Sequence, residues 1–549
     1  MTYILPTKSS GDKILSNLWN TSASASNSVY GAISASNVGI AGALIDSGKR
    51  IAGIRIATEF DTAKHAGTDA DPWSGAAIQA AIDDVPASGG MIYLPAGVWA
   101  PSTVIVPKSN LRILGSGGAT ILKPTGTAFS GNSGGIFRPS ADISDLEIGH
   151  MAIDSTGNAN QVSFYANQTG GATSIKDCWI HDIVHTGKLA TEDRTFNLFN
   201  APDMEGTIFE RVKNYGSKLL HADQIKSLDL INCKAIMSPS AFLDAVYLSS
   251  TDRVRLIGCL IRGYTHNGLA NFNASKRTQV LGCRFEYCAD GIDQDGAAET
   301  VTIVGNVFYN CGGGGDGSIS FTPLSGRVLG ATITGNTFLN TDDQLDPILA
   351  NNIDNLVIDG NVFIQGSAPQ STSFVVLSGC NDVLVEANEW YFPGGGSVLN
   401  PTLGITDSKK VRVLGNDFYG GPDTNGHMLR ITSSTPGATN DVVIENNTFT
   451  PNFSGLAGRE SIGIALADEK ATNVRIEKNT FYQTSAALAI SISNPPSLLI
   501  IKGNIGYKTE VSVLSPDFFV DATGVKTVTI AHGLAARPRE EDCDISVVM

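Results

Sequence analysis

Residues 299–311, ETVTIVGNVFYNC, decide the fold, because an alternating apolar strand runs into a Gly-Asn corner and Phe308 follows two positions after Asn306. Downstream the phrase returns as GATITGNTF (330–338), NLVIDGNVF (355–363), KVRVLGNDF (410–418), DVVIENNTF (441–449) and NVRIEKNTF (473–481). Weaker copies such as TQVLGCRF (278–285) extend the series in both directions. The corner positions are spaced 23 to 32 residues apart: Cys233, Cys259, Cys283, Asn306, Asn336, Asn361, Asn388, Asn416, Asn447, Asn479 and Asn504.

A repeat of about 25 residues built only of short strands is typical of a parallel β-solenoid, in which each unit buries its apolar surface on its neighbours. The segments read with period 2, which argues against helical repeats. Asn and Gly tolerate the left-handed backbone of a sharp corner, and the Phe after each Asn is predicted to point inward into one stack. Unequal turn lengths favour an all-β fold, a right-handed parallel β-helix of about fifteen turns.

The repeat divides the chain into three regions. Residues 1–60 are rich in Ser and Ala and then small and apolar, so we predict a leader or neck there. The β-helix is predicted over residues 61–508. Residues 509–549 break the repeat and predict a small C-terminal β segment, a candidate part of a trimerisation domain. Its last strand, in CDISVVM (543–549), either pairs with another chain or belongs to a domain that the sequence cuts short.

An amphipathic helix is predicted at residues 73–85, ahead of the first turns. The open end of a solenoid needs an amphipathic cover, and this helix is predicted to supply it. Its apolar face is formed by Ile78, Ala81, Ile82 and Val85.

The charge balance limits the partners. The chain of 549 residues carries a formal net charge of −15 and no basic run, which disfavours duplex nucleic acid and anionic membranes. A strongly acidic polysaccharide would be repelled unless a local basic patch intervened. No apolar stretch reaches the roughly 18 residues of a membrane span, and the N-terminus shows no signal peptide.

The eight cysteines are predicted to be packed free thiols, because most of them fall at corresponding places in successive turns. Stacked strands lie about 4.8 Å apart, so disulfides stay open as an alternative. No cysteine or histidine spacing indicates a zinc site, and no metal or other cofactor is expected.

The phrases AAIQAAIDD (76–84), GGMIYLPAGVW (89–99) and LRILGSGGATIL (111–122) resemble the opening of the pectate-lyase-like superfamily of right-handed β-helices. That superfamily includes plant-polymer lyases, polygalacturonases, epimerases and the tailspike depolymerases of bacteriophages. The resemblance spans residues 71–122 and continues with the repeat to about residue 508. It implies the fold and a parallel homotrimer with chains side by side.

The catalytic phrases of those relatives are not inherited. CADGIDQDG (288–296) is only loosely similar to a polygalacturonase site, and the Gly-His-Gly phrase is absent. Where a pectate lyase has Trp-Ile-Asp-His, this sequence has WIHD (179–182), with the last two residues reversed. The resemblance therefore favours the tailspike branch, whose sites vary from one member to the next.

The strand GIDQDG (291–296) is the main catalytic candidate. Asp293 and Asp295 alternate with an inward Ile292, so both carboxylates are predicted to face solvent from one face. Residues two apart span about 6.8 Å, which suits the acid and base or nucleophile of glycoside hydrolysis. One of the two is predicted to have a raised pKa, with activity falling at high pH. Glu286, on the preceding strand, is a third catalytic candidate. The alternatives are a solvated acidic strand or an Asp that points into a polar interior.

Four residues are predicted to bind substrate in the same groove. A histidine beside a carboxylate can serve as base or sugar ligand, and aromatic faces stack on sugar rings. A surface histidine and core packing are the alternatives. The candidates are His221, Asp223, Tyr247 and Phe272.

Two further groups of residues, both rich in Asp, are considered as sites. An Asp or Asn step opens each central turn, and it predicts a turn ladder rather than a site: Asp244-Ala245, Asn267-Gly268, Asp290-Gly291 and Asp316-Gly317. A rival acidic cluster lies in the loop NTDDQLDP (340–347): Asp342, Asp343 and Asp346.

The sequence predicts a tailspike-type depolymerase that binds and hydrolyses a bacterial surface glycan, capsular polysaccharide or lipopolysaccharide. It would belong to a virion tail and act outside the cell. A polysaccharide lyase of the same fold and a non-catalytic glycan-binding adhesin are the alternatives. New reducing ends alone would indicate a hydrolase, reducing ends with absorbance near 235 nm a lyase, and neither an adhesin.

Overall fold

The computed structural model describes residues 53–505 and the strand Ile545–Val548, with gaps at residues 126–128, 130–134, 157–161, 168–173, 188–193, 200–202, 238–243, 274, 313–316, 325, 341–346, 366–374, 393–400, 421–426, 451–461, 467–469, 483–488, 493–495 and 497. The chain divides into two compact units, residues 1–55 and 56–549. Most of the predicted leader (1–60) and of the C-terminal segment (509–549) lies outside the described residues. No helix among the described residues is long and apolar enough to cross a membrane.

Each regular turn contributes three strands to a parallel β-helix, as predicted. Two strands flank the Gly-Asn corner and enter one long sheet, and the third enters a second sheet, called here the short sheet. Strands pair in parallel with their counterparts in the next turn, for example Val301 with Ala331 and Phe308 with Phe338. The short sheet holds 14 described strands, so the stack is slightly shorter than the fifteen turns predicted.

The short sheet comprises Gly135–Phe137, Val162–Asn167, Arg194–Phe199, Lys218–Asp223, Val246–Ser249, Asn267–Phe272, Asp290–Gln294, Ile319–Phe321, Ile348–Asn351, Val375–Ser378, Leu403–Thr406, His427–Thr432, Ile462–Leu466 and Ile490–Ile492. The long sheet comprises Ile54–Ile56, Trp73–Ser74, Gly90–Leu94, Gly97–Ala100, Leu111–Gly115, Thr120–Leu122, Glu147–Asp154, Trp179–Thr186, Thr207–Glu210, Lys213–Tyr215, Ser227–Ile231, Lys234–Ile236, Arg253–Ile257, Leu260–Arg262, Arg277–Leu281, Arg284–Glu286, Thr300–Val304, Val307–Tyr309, Ala331–Thr334, Thr337–Asn340, Asp354–Asp359, Val362–Gln365, Asn381–Glu386, Glu389–Phe392, Lys409–Leu414, Asp417–Gly420, Asn440–Glu445, Thr448–Thr450, Thr472–Glu477, Thr480–Phe481, Leu498–Lys502 and Ile545–Val548. Ile143–Ser144 and Ile175–Lys176 form a separate pair, and short 3-10 helices span Ala57–Phe60 and Gly117–Ala119.

The corner asparagines form a buried hydrogen-bonded column from Asn306 to Asn504. In each step the side-chain oxygen of one Asn accepts from both the backbone N–H and the side-chain amide of the Asn in the preceding turn; Asn361 accepts from Asn336 at 2.9 and 3.0 Å. The Asn361 amide also donates to the Ile333 carbonyl at 2.8 Å. The left-handed residue is the one before the column Asn: it is glycine in most turns, such as Gly360 with φ of 59°, and Ala387, Asn446 or Lys478 in the others.

The predicted aromatic stack fills the interior beside this column. Successive rings lie 4.3 to 5.3 Å apart and within 18° of parallel. Its members are Phe285, Phe308, Phe338, Phe363, Trp390, Phe418, Phe449 and Phe481, each at most 1% exposed. The cysteines of the described residues are free and buried, in agreement with the prediction of packed thiols.

The N-terminal helix spans Gly75–Asp84, within the predicted range of 73–85. The Ser74 side chain caps it by accepting from the Ala76 amide at 3.1 Å. Its predicted apolar face is buried in the core at 0 to 2% exposure. Gln79 ties the helix to the first turns, because its side-chain oxygen accepts from the Val106 amide at 2.7 Å.

The last described strand, Ile545–Val548, pairs antiparallel with Leu498–Lys502 of the same chain. Ile500 lies opposite Ser546 in this pairing. This strand therefore adds to the end of its own β-helix.

A polar cluster inside the N-terminal turns surrounds His185, which is fully buried. Its Nε2 lies 2.7 Å from the Ser155 hydroxyl, and its Nδ1 lies 3.4 Å from the Ser217 hydroxyl. The Ser217 hydroxyl donates in turn to the Asn214 side chain at 2.8 Å. Burial lowers the pKa of His185 to about 4, so the ring is neutral in the folded chain at neutral pH.

The aromatic stack predicts a large cost for truncating one ring. Phe363→Ala leaves a cavity between Phe338 and Trp390 and is expected to destabilise the fold by about 3–5 kcal/mol. Leu324→Ala is the matched control, because Leu324 is 85% exposed and should melt like wild type. Thermal melting checks both, and a wild-type melting temperature for Phe363→Ala would show that the stack contributes nothing.

The buried neutral His185 predicts acid sensitivity. Its folded pKa of about 4 lies below the ordinary 6.5, so as the pH falls the unfolded chain takes up the proton first. Stability should therefore decrease from about pH 6.5 downward, by about 2 kcal/mol at pH 5 for this group. His185→Gln removes the titration, and denaturant unfolding at pH 8 and pH 5 should show a smaller acid loss in the variant. An equal loss in both proteins would contradict this.

Candidate functional site

The outward face of the short sheet carries the candidate site in its central turns. The register aligns His221, Tyr247, Ala270, Asp293 and Ser320 in one row across five consecutive strands. Alternate residues point inward: Leu220 and Ile292, for example, are buried in the core. The sheet therefore brings residues that are 23 to 27 positions apart in sequence to within one strand spacing, about 4.8 Å.

Three predicted substrate-binding residues form an aromatic row on this face. The rings of His221 and Tyr247 are stacked at 4.5 Å and 17°, and those of Tyr247 and Phe272 at 5.3 Å and 28°. Small Ala270 lies beside Tyr247 in the register, and Phe272 lies beside Ser249. Because the rings cover one another, they present mainly their edges, and the predicted stacking of sugars on their faces is available only at the two ends of the row. Asp223 is half-buried on the same face.

Asp293 lies on the outward side of the strand Asp290–Gln294, and Asp295 directly follows that strand. Their neighbours Ile292 and Gln294 are each 1% exposed and point inward. The expectation that both carboxylates face solvent is wrong for Asp293, which is only 6% exposed. Asn267 donates to its Oδ2 at 3.3 Å. Asp295 is half-buried and accepts from the Thr322 hydroxyl at 2.8 Å. The pair is thus partly enclosed and individually hydrogen-bonded.

Glu286 is not brought to this pair. It belongs to the strand Arg284–Glu286 of the long sheet, whereas Asp293 lies on the short sheet. Its carboxylate is hydrogen-bonded to Arg284 and lies 3.6 Å from Arg262. The structure gives it the surroundings of a surface ion pair. The rival acids Asp342 and Asp343 lie outside the described residues.

His266, Asp244 and Asp290 complete the cluster. The sequence did not single out His266, and it predicted that the two aspartates belong to a turn ladder. His266 Nδ1 lies 2.5 Å from Asp244 Oδ1, and Lys218 Nζ lies 3.8 Å from the other oxygen of Asp244. The hydrogen bond from Asp244 raises the pKa of His266 against the effect of burial, and the charges of Asp290 and Asp293 act in the same direction. This electrostatic coupling places His266 among all three carboxylates.

The turn ladder contained the signal for these residues. Asn267 pairs with Asp290 as the spacing predicted. The fourth step is displaced by one residue, because Ile292 pairs with Ile319 and the Gly317 amide donates to Asp290 at 3.3 Å. Asp244 and Asp290 are 6% and 4% exposed, which a solvated turn ladder does not explain. His266 directly precedes the ladder residue Asn267, and no sequence pattern pointed to His266 itself.

A second charged cluster lies on the long sheet around the WIHD phrase. Nitrogens of His150 and His181 and an oxygen of Asp182 lie within 4.8 Å of one another, a spacing that suits a metal ion. Both nitrogens of His181 are already hydrogen-bonded, at 2.8 Å to Asp182 and 3.1 Å to Glu147. Arg211 binds both oxygens of Asp182, at 2.7 and 2.8 Å. These contacts form an ion-pair network without an available ligand set.

The charge states of that network agree with this reading. Burial favours a neutral His181, but the hydrogen bonds from Asp182 and Glu147 outweigh it and raise the pKa of His181. Burial likewise opposes ionisation of Glu147, but His181 and Arg112 lower its pKa to about 2. A protonated imidazole between two carboxylates donates a hydrogen bond from each nitrogen. The cluster is therefore a structural network.

Comparisons with known proteins agree on the fold. A family model described as a right-handed β-helix region matches residues 319–504. No curated protein sequence matches the chain. Among solved structures, tailspike protein 3 of bacteriophage CBA120 aligns at 14% identity with a TM-score of 0.42, covering 86% of this chain. The chain spans 66% of that tailspike, slightly less than two thirds of its length.

Two other solved structures show how varied these neighbours are. The N-terminal fragment of gene product 12 of bacteriophage Phi29 aligns at 14% identity and a TM-score of 0.43, covering 79% of this chain and 68% of that one. The surface protein and adhesin PfbA of Streptococcus pneumoniae aligns at 11% identity and a TM-score of 0.36, covering 77% and 99%. Likeness at this level concerns the fold alone. The chain is a right-handed parallel β-helix.

Proposed function

We propose that this β-helix is a tailspike-type depolymerase that binds a bacterial surface glycan along its short sheet and hydrolyses it there. The observation that supports this most directly is the enclosed cluster of Asp244, Asp290 and Asp293 around His266, placed beside the aromatic row. Carboxylates are rarely buried without a reason in binding or catalysis. A fold assembled from repeats needs none of these side chains for its core.

The carboxylate pair supplies the acid and the base of glycoside hydrolysis. We assign the general acid to Asp293, because it is only 6% exposed and burial disfavours the charged carboxylate. Asp295, which accepts from the Thr322 hydroxyl, acts as the base or nucleophile on the same face. The proton of Asp293 passes to the glycosidic oxygen, and Asp295 activates water or attacks the anomeric carbon.

His266 contributes a positioned positive charge. Its bond to Asp244 fixes the ring and favours its charged form beside the carboxylates. The charged imidazole stabilises the negative charge that accumulates among the carboxylates as Asp293 gives up its proton. The edges of His221 and Tyr247 extend the groove towards earlier turns, where they contact the sugar chain.

A lyase is the second candidate, and the His266–Asp244 pair is the observation that favours it. A histidine oriented by a carboxylate can abstract the proton next to a uronate carboxyl group. Digestion of a glycan panel separates the candidates, since a lyase creates a product that absorbs near 235 nm and a hydrolase does not. Binding without any new reducing ends would leave the adhesin.

Assembly and location stay predictions. A homotrimer of side-by-side chains is supported by an exposed apolar row on the long sheet, in which Ile364, Tyr391 and Tyr419 are paired in register and 37 to 40% exposed. The virion tail and the cell surface are the settings that such a depolymerase implies.

The carboxylate assignment predicts two inactive variants. Asp293→Asn and Asp295→Asn should each lower turnover by at least about a hundredfold, because each removes a proton-transfer group while keeping the shape of the side chain. Melting temperature and binding to whole cells should be unchanged. Asp382→Asn is the control, since Asp382 lies on the long sheet and is 48% exposed on its side chain. Wild-type digestion by both variants would place the chemistry elsewhere.

The His266–Asp244 pair predicts a shift in the alkaline limb of the pH profile. Protonated His266 persists above its ordinary pKa of 6.5 because of Asp244, so activity should fall as the pH rises through the raised pKa. Asp244→Asn removes the largest cause of that shift and should move the alkaline midpoint of kcat/KM down by about one pH unit. Asp252→Asn is the control, because Asp252 directly precedes the long-sheet strand Arg253–Ile257 and pairs with Arg277. An unmoved midpoint in an active Asp244→Asn enzyme would exclude His266 as the titrating group.

A further inference from the structure

A cationic pair lies on the short sheet, well beyond the carboxylate cluster. Arg430 belongs to the strand His427–Thr432, and it lies outward because its neighbours Leu429 and Ile431 are buried in the core. Its Nε is buried and has no hydrogen-bond partner. In the part of the chain that the structure describes, no carboxylate pairs with its guanidinium.

His427, three residues before Arg430, shares this situation. Its Nδ1 is also buried without a hydrogen-bond partner among the described residues. Burial lowers the pKa of His427, and the charge of Arg430 lowers it further, so the two side chains are close enough to repel each other when both are charged. Among the described residues, the charged Arg430 therefore lies beside a histidine held towards its neutral form, in a chain whose net charge is −15.

The strands on both sides place small residues next to Arg430. Arg430 pairs in register with Gly404 on one side and Ala465 on the other, and the Pro401 ring lies against Gly404. Next to it on the outward face, the Thr406 and Thr432 hydroxyls lie 2.7 Å apart. A guanidinium between two small residues and beside two hydroxyls forms a shallow, polar, positively charged recess.

The recess continues the row that contains Asp293. Arg430 is five strands away from Asp293 in the short sheet. The residues paired in register between them are Ser320, Leu349, Val376 and Gly404. At about 4.8 Å a step, Arg430 lies about 24 Å along the axis from Asp293. An extended oligosaccharide lying along this face can reach both.

We propose that Arg430 and His427 form a binding subsite for the carboxylate of an acidic sugar. The proposal rests on the glycan-binding function proposed above and adds that the glycan is anionic. A planar carboxylate accepts hydrogen bonds from a guanidinium, and it would supply the counter-charge that Arg430 lacks among the described residues. The Arg430 subsite would also be the local basic patch that an acidic polysaccharide needs on an acidic protein.

This subsite explains how one chain can bind a polyanion and still cleave it with carboxylates. The anionic group is held about five strands away from the acid cluster, so the repulsion between them is weak beyond the screening length of about 8 Å in physiological salt. The sugar placed at Asp293 can then be a neutral residue of the repeating unit.

The test uses galacturonate as the carboxylate probe and galactose as its neutral counterpart, with the full-length protein. The NMR signal of the His427 ring reports its pKa during a pH titration. Bound carboxylate favours the charged imidazole, so galacturonate should raise the pKa of His427, and galactose should leave it unchanged. Arg430→Gln should weaken galacturonate binding by about tenfold or more, and Arg430→Lys should weaken it less.

Arg412→Gln is the matched control, because it removes the same charge from an exposed position on the long sheet of the same turn. Equal effects of galacturonate and galactose, or unchanged galacturonate binding in Arg430→Gln, would overturn the subsite. A wild-type melting temperature for Arg430→Gln ensures that a loss of binding is not a loss of fold. These readouts measure binding and not cleavage. The subsite proposal can therefore be wrong while the hydrolase proposal is right, and the hydrolase proposal can be wrong while the subsite proposal is right.

Discussion

The interaction on which the rest of this structure depends is the column of buried asparagine amides from Asn306 to Asn504. Between successive asparagines, the side-chain oxygen accepts two hydrogen bonds from the Asn of the preceding turn, whose amide also donates to a backbone carbonyl. An unsatisfied buried amide costs about 1–3 kcal/mol, so a one-residue slip between turns would expose several such costs at once. The column therefore fixes the register of every turn that it crosses.

A fixed register in the long sheet also aligns the opposite sheet. The loops between turns differ in length, but the strands of the short sheet still pair residue by residue, for example His221 with Tyr247 and Asp293 with Ser320. Outward side chains from distant parts of the sequence therefore form continuous rows. The aromatic row, the acidic cluster and the Arg430 recess are parts of one such face, and the interior side chains need not change to vary it.

The acidic cluster is unfavourable for folding, which is why it points to function. Asp244, Asp290 and Asp293 are each less than 7% exposed and lie close enough to act on the same imidazole. The raised pKa of His266 shows that this ring relieves part of the repulsion. The second charged network, around His181, differs because its arginines neutralise both carboxylates. In the central cluster, Asp244 has a histidine on one oxygen and Lys218 Nζ at 3.8 Å from the other.

Periodicity made the fold predictable, and it made only part of the site predictable. Asn306 and Phe308 repeat in sequence, so the corner, the aromatic stack and the cap at Gly75–Asp84 follow from spacing. Asp293 and Asp295 follow from alternation on one strand, but the burial of Asp293 does not, because enclosure depends on neighbouring turns.

Two errors have the same physical origin. Glu286 belongs to a different sheet from Asp293. The alternation of apolar and polar residues does not reveal the sharp corner at which the chain passes from one sheet to the other. His266 contacts Asp244 from the adjacent turn, and such a contact depends on the three-dimensional path of a loop. Sequence patterns locate strands and their inward faces, whereas contacts between turns at the loop edges need coordinates.

The central claim is that the outward face of the short sheet is where the glycan lies. The most direct measurement is a crystal structure of the Asp293→Asn variant soaked with an oligosaccharide of the glycan that the wild-type protein digests. The account predicts sugar density along the short sheet, in contact with His266 and reaching towards Arg430. Sugar bound to the long sheet, with the face around Asp293 empty, would contradict it.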